Sequence, residues 1–162
     1  MDVKEIAREL TQRVLGLLGA DVESIGVENE LGRLSANATV AEAGFLIGQE
    51  GENLKALQHI LAIMVSKKSG EVIRPGDFSL DINNYRKERE DYLAAVAKNS
   101  AAEAISTKHP IELPPMSAYD RRIVHLVIEG IEGVKSESVG EGEERRIVIS
   151  PENDKFQNPN DK

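Results

Sequence analysis

Between residues 44 and 51 the chain reads Gly44-Phe-Leu-Ile-Gly-Gln-Glu-Gly51, three glycines around an apolar triplet, and a helical pattern starts at once. Leu54, Leu57, Leu61 and Met64 carry that pattern, which stops at Lys67-Lys68-Ser69-Gly70, cations near the negative end of a helix and glycine as terminator. A glycine loop that feeds a helix is restrictive. It fixes where a helix N-terminus lies and lets other groups approach the backbone with no Cβ in the way.

Around this junction the periodicities predict an α+β chain. Val3, Ile6, Leu10, Val14 and Leu17 predict an amphipathic helix ending near Gly19. Ile25 and Val27, then Leu34, Ala36 and Ala38, alternate around Glu30-Leu31-Gly32-Arg33 and predict a hairpin. Phe78, Leu80 and Ile82 predict a further strand. From Tyr85 to about Thr107 the pattern is one long helix, with Leu93, Ala97, Ala101 and Ile105 four apart. Ile111 and Leu113 suit a short strand before Pro114-Pro115. Ser117-Ala-Tyr-Asp120 resembles a capping box with Asp in place of Glu and opens a helix through Ile128. Val134 to Val139 and Arg145 to Ile149 predict two strands across Gly140-Glu-Gly-Glu, and the polar stretch from Pro151 predicts a disordered tail.

Composition narrows the chemistry. The chain has 162 residues, no Cys and no Trp, three Phe and three Tyr, so disulfides and thiolate metal sites are excluded and the cores must be aliphatic. The N-terminus lacks the apolar run of a signal peptide or membrane span, and a cytoplasmic location is expected. The net charge is −8, and neither part of the chain is basic: residues 1–83 hold 8 basic and 13 acidic groups, residues 84–150 hold 10 and 12. Any affinity for a polyanion must therefore come from local geometry.

Gly48-Gln-Glu-Gly51 is the first candidate site. Two glycines three apart are often no more than a tight turn, but a Gly-x-x-Gly loop before a helix and a strand is how a KH domain clamps about four nucleotides. The stretch from Val3 to Asn83 resembles a KH domain of order α-β-β-α-α-β, implying a mixed three-stranded sheet with helices on one face. The candidate residues are Ile47, Gly48, Gln49, Glu50, Gly51 and Lys55, with Leu46, Ile47 and Leu54 expected to wall a shallow groove for unstacked bases. The two loop residues are commonly basic in such domains. Gln49 and Glu50 instead place a carboxylate by the phosphate path, which predicts reduced affinity, with Lys55 as the nearest compensating cation.

Arg121 and His125 stand four apart in Tyr119-Asp-Arg-Arg-Ile-Val-His125, so a helix projects both from one face, a guanidinium to fork onto phosphate and an imidazole to donate or stack. A surface ion pair and a satisfied histidine would read the same way. Asp81-Ile-Asn-Asn-Tyr-Arg86, Pro114-Pro-Met-Ser-Ala-Tyr-Asp-Arg-Arg-Ile-Val-His125 and Arg145-Arg-Ile-Val-Ile149 together resemble the Jag, or SpoIIIJ-associated, family of bacterial proteins over roughly residues 3–150. That resemblance implies a KH domain at 1–83, a small α/β Arg-x-x-x-His domain at 84–150 that includes the long linking helix, and a tail at 151–162. It also implies RNA binding in the cytoplasm, a chaperone-like post-transcriptional role linked to cell elongation, cell shape and cell-wall growth, and a small single-KH partner protein. Many members carry a further N-terminal domain and linker. Arg122, Arg145 and Arg146 fall in the resembling stretch and would widen the second patch.

His59, His109 and His125 lie in separate segments without acidic neighbours at metal spacing, so neither a metal nor another cofactor is expected, and no nucleophile motif predicts catalysis. Lys67-Lys68 and Arg86-Lys87-Glu88-Arg89 read as solvated helix faces. The expected ligand is single-stranded RNA, with single-stranded DNA open and no membrane insertion. The competing reading is a protein–protein adaptor that has lost useful RNA affinity at Gln49-Glu50.

Overall fold

The computed structural model describes residues 1–74 and 76–152, which fall into two compact units, Met1–Arg86 and the part from Lys87 onward. In the first unit, helix α1 (Val3–Leu17) leads to strands β1 (Val22–Glu30) and β2 (Arg33–Val40), the short helix α2 (Gly44–Ile47), helix α3 (Glu52–Ser69) and strand β3 (Phe78–Ile82). Strand order is β1-β2-β3, antiparallel then parallel, so the sheet is mixed. The hairpin turns on Leu31 and Gly32, both left-handed with φ of 51° and 81°, as a two-residue turn matched to strand twist requires.

Alternation explains where the core lies. Leu34, Ala36, Ala38 and Val40 on β2 and Phe78, Leu80 and Ile82 on β3 are all buried, and α1 and α3 cover them. The other face of the sheet is polar and open, with Glu28, Ser35 and Ser79 in register across the three strands and Glu30 and Asp81 beside them. On α1 the stripe differs from the expected one: Leu15 and Thr11 are fully buried while Leu17 is 79% exposed. At 3.6 residues per turn, positions 3, 7, 11 and 15 drift inward as 17 turns out.

Three side chains finish this unit. Asn83, itself left-handed, lends its amide to β2 as an extra rung: its Oδ1 accepts from Val40 N and its Nδ2 donates to Val40 O, both at 2.9 Å. Gln58 Oε1 accepts from Leu80 N at 3.1 Å and from Arg86 Nη2 at 2.7 Å. Lys68 donates to Glu9 at 2.8 Å, which holds that carboxyl below the usual glutamate range. Lys68 and Arg86 are therefore engaged side chains rather than bare solvated charges.

The second unit contains most of helix α4 (Tyr85–Thr107), then strand β4 (Ile111–Glu112), helix α5 (Ala118–Glu129) and strands β5 (Val134–Val139) and β6 (Arg146–Pro151), with antiparallel order β4-β6-β5. Its core joins Leu93, Ala97, Ala101 and Ala104 of α4 to Val124 and Ile128 of α5 and Ile147 and Ile149 of β6. Ile105, expected inside, is 45% exposed. Steps of four residues advance 40° beyond a full turn, so by the third step the stripe has passed to Ala104. Ser117 caps α5 by accepting from Asp120 N at 3.2 Å. Pro151 ends β6 paired with Val134, which corrects its assignment to a disordered tail, and residues 153–162 lie outside the described residues. Among the described residues no helix is long and apolar enough to cross a membrane.

Candidate nucleic-acid interface

The first site is the turn between α2 and α3. Gly48 (φ 71°, ψ −177°), Glu50 (φ 52°) and Gly51 (φ 79°) all have positive φ, and the conformation at Gly48 belongs to glycine alone. Space enforces the same choice. A Cβ on Gly48 would lie 2.6 Å from Asn53 Cγ, and one on Gly51 would lie 2.9 Å from the Tyr85 ring. Asn53 locks the turn by donating to Phe45 O at 2.8 Å. The N–H of Gly48 is spent on Gly44 O at 2.9 Å and that of Gly51 on Gly48 O at 3.3 Å, so the glycines shape the loop rather than serve as its donors. The positive end of the α3 dipole faces this loop.

Gln49 is exposed, Ile47, Gly48 and Glu50 are half-buried, and Lys55 is exposed one turn into α3. Leu46 and Leu54 do not wall a groove: at 1% and 3% exposure both belong to the core, and Ile47 packs against it. The apolar group left in solvent is Phe45, 51% exposed, which its place in a buried-looking triplet concealed.

In the second unit Arg121 and Arg145 meet through one residue. Arg121 Nη1 donates to Met116 O at 2.7 Å, and Met116 N donates to Arg145 O at 3.2 Å. Arg121 is half-buried, while Arg122 and Arg145 are exposed. One of five guanidinium donors on Arg121 is thus committed to the backbone that holds it. His125 reaches β5, where Nδ1 lies 2.7 Å from Ser136 Oγ and Nε2 lies 2.9 Å from Ser138 Oγ. Both ring nitrogens have protein partners, and the rotating hydroxyls can donate or accept to suit either tautomer. The shared donor surface expected of Arg121 and His125 is not what the two side chains form: His125 clamps α5 to β5. Arg146 is likewise engaged by Glu112 and the carbonyl of Glu144.

Arg89, read from sequence as solvated, anchors this unit. Its Nη2 donates to Asp120 Oδ2 at 2.8 Å and its Nε to the same oxygen at 3.3 Å, and Asp120 is only 3% exposed. Asp120 therefore serves Arg89 through its side chain where a capping box would have turned it back on Ser117. Arg89 also stands 5.6 Å over the Tyr92 ring, and Tyr119 donates to Glu90 Oε1 at 2.6 Å. No local signal marked the Arg89–Asp120 pair, because its partners are 31 residues apart.

The second unit thus holds a helix α5 capped by Ser117 and clamped to β5, with α4 packed on the same three-stranded sheet. Residues 91–151 match the Arg-x-x-x-His (R-x-x-x-H) domain family. The second unit contains a domain of that family. Nearly the whole chain is similar to proteins named RNA-binding protein KhpB: 34% identical over 150 residues in Clostridium symbiosum, covering 91% of this chain and 66% of that protein. The Bacillus subtilis protein is 33% identical over 114 residues, 69% of this chain and 53% of its own length. A Streptococcus pneumoniae relative is 27% identical over 154 residues, 93% of this chain and 46% of its own length. The chain thus spans about half to two thirds of these relatives, and the domain match takes in Arg121, His125 and Arg145.

Proposed function

We propose that the chain binds single-stranded RNA through two modules and acts as a post-transcriptional regulator of the Jag type, linked to cell elongation and envelope growth. The observation that carries this reading is the Gly48–Gly51 turn, sterically reserved for glycine and set at the start of an 18-residue helix. That helix lies within an α-β-β-α-α-β unit that precedes an Arg-x-x-x-His domain. The element order, with its mixed sheet, supports the KH assignment of the first unit. The relatives' shared name supports RNA as the ligand. Arg121 and Arg145, joined at Met116, and exposed Arg122 are the phosphate contacts of the second module, with His125 as the group that positions α5. The protein acts in the cytoplasm, catalyses nothing, needs no cofactor, and works with a small single-KH partner protein.

The test is fluorescence anisotropy of short labelled RNAs over a range of salt. Gly51→Asp would disturb Tyr85 as well as the loop, so Glu50→Lys is the cleaner probe of the first module: tighter binding is expected. Arg121→Ala should weaken it. Identical affinity for both variants and the parent would remove these residues from the RNA path, and no binding in dilute buffer would remove the function. The adaptor reading then takes over, favoured by the half-exposed Ile60 and Ile63 on α3 and by the net charge of −8.

A further inference from the structure

The chain holds only three Tyr and three Phe, yet Tyr92 and Tyr119 in the second unit stand 59% and 48% exposed. Neither ring is left loose. Arg89 lies over Tyr92, the Tyr119 hydroxyl is tied to Glu90, and of these two adjacent residues of α4 Arg89 is anchored by the buried Asp120 carboxylate. An aromatic surface fixed before a ligand arrives loses little freedom on binding.

On α5, Tyr119, Arg122 and Leu126 follow at spacings of three and four, and all three are exposed, so one helix face presents a ring, a guanidinium and an apolar side chain in line. Arg122 falls between the ring and the apolar side chain, and the acidic Glu129 closes the stripe one turn beyond Leu126. A ring for a base face beside a guanidinium for a phosphate is the chemistry of single-strand recognition without sequence readout.

We propose that Tyr119 and Tyr92, with Arg122, form a base-stacking site for unpaired nucleotides on the second unit. The site rests on the nucleic-acid reading above and deepens it. The rings take base faces, Arg122 takes a phosphate beside Tyr119, and the Arg89–Asp120 pair holds the guanidinium over Tyr92.

The test uses the full chain and a labelled RNA of about 12 nucleotides without self-complementarity, within ordinary single-strand site sizes. Tyr92→Ala and Tyr119→Ala should each weaken binding about 5- to 100-fold, and Tyr119→Phe should change it less than about threefold, since stacking needs the ring and not the hydroxyl. Tyr119→Leu, which keeps an apolar contact, should bind as poorly as Tyr119→Ala at an unchanged thermal midpoint, and it serves if the alanine variant is unstable. With no Trp in the chain, intrinsic emission comes from tyrosine. Bound RNA should quench it, and the quench should fall far more in Tyr92→Phe with Tyr119→Phe than in Tyr85→Phe, whose ring lies against Gly51 of the first module. If the parent binds but these variants bind equally and no quench is seen, the stacking site is overturned and the RNA reading stands. If the parent binds no RNA in dilute buffer, both fall.

Discussion

Two polar side chains in the first unit, Thr11 and Asn83, show how unequal hydrogen bonding can be from one residue to the next. Thr11 is fully buried and its Oγ1 has no partner among the described residues, so the hydroxyl is held dry without return. Thr11→Val should raise stability by about 1 kcal/mol, measured by urea unfolding. Asn83 is the opposite case, with donor and acceptor both matched to Val40. Asn83→Asp keeps the shape but turns an oxygen toward the Val40 carbonyl, and should cost about 1–3 kcal/mol in the same assay. Neither effect was legible beforehand. Thr11 lies off the Val-Ile-Leu stripe that marked α1, and Asn83 finds its partner 43 residues away. The glycines were legible because left-handed backbone leaves a local signature, whereas the spent amides of Gly48 and Gly51 did not.

Among helices and strands, periodicity placed α1, α3, α4, α5 and the strands close to their observed spans, since a buried face repeats every 3.6 or 2 residues whatever lies opposite. It misjudged which members of a stripe are deepest: Ile105 gave way to Ala104, and Leu46 and Leu54 went to the core. It also read Arg86 to Arg89 as one charged surface, because charge alone does not distinguish a solvated Lys from an Arg with a buried partner. The Arg89–Asp120 pair fixes α4 against the start of α5, and Arg89→Ala leaves a buried carboxylate unmatched. A loss of about 3 kcal/mol is expected, at the lower end for buried pairs because Arg89 is itself partly exposed. Replacing both residues together, Arg89→Met with Asp120→Leu, should cost less than Arg89→Ala alone. Thermal or urea unfolding of the parent and the two variants checks the order.

For the chain taken entire, the proposed RNA binding has to work against an overall charge of −8. With about four phosphate contacts proposed for Lys55, Arg121, Arg122 and Arg145, log affinity against log salt should fall with a slope of roughly −3 for a single strand. Anisotropy titrations between dilute and physiological salt measure it, and a slope steeper than about −6 would mean that other cations carry the binding. The open face of the first sheet has a bearing on how an encounter begins. Glu28, Glu30 and Asp81 outnumber Arg33, which sits across from Glu30 on that face, so a polyanion arriving there should meet net repulsion. For the proposed ligand, acidity there would act as a filter on direction of arrival, and neutralising those three carboxylates would admit more encounters while making fewer of them useful.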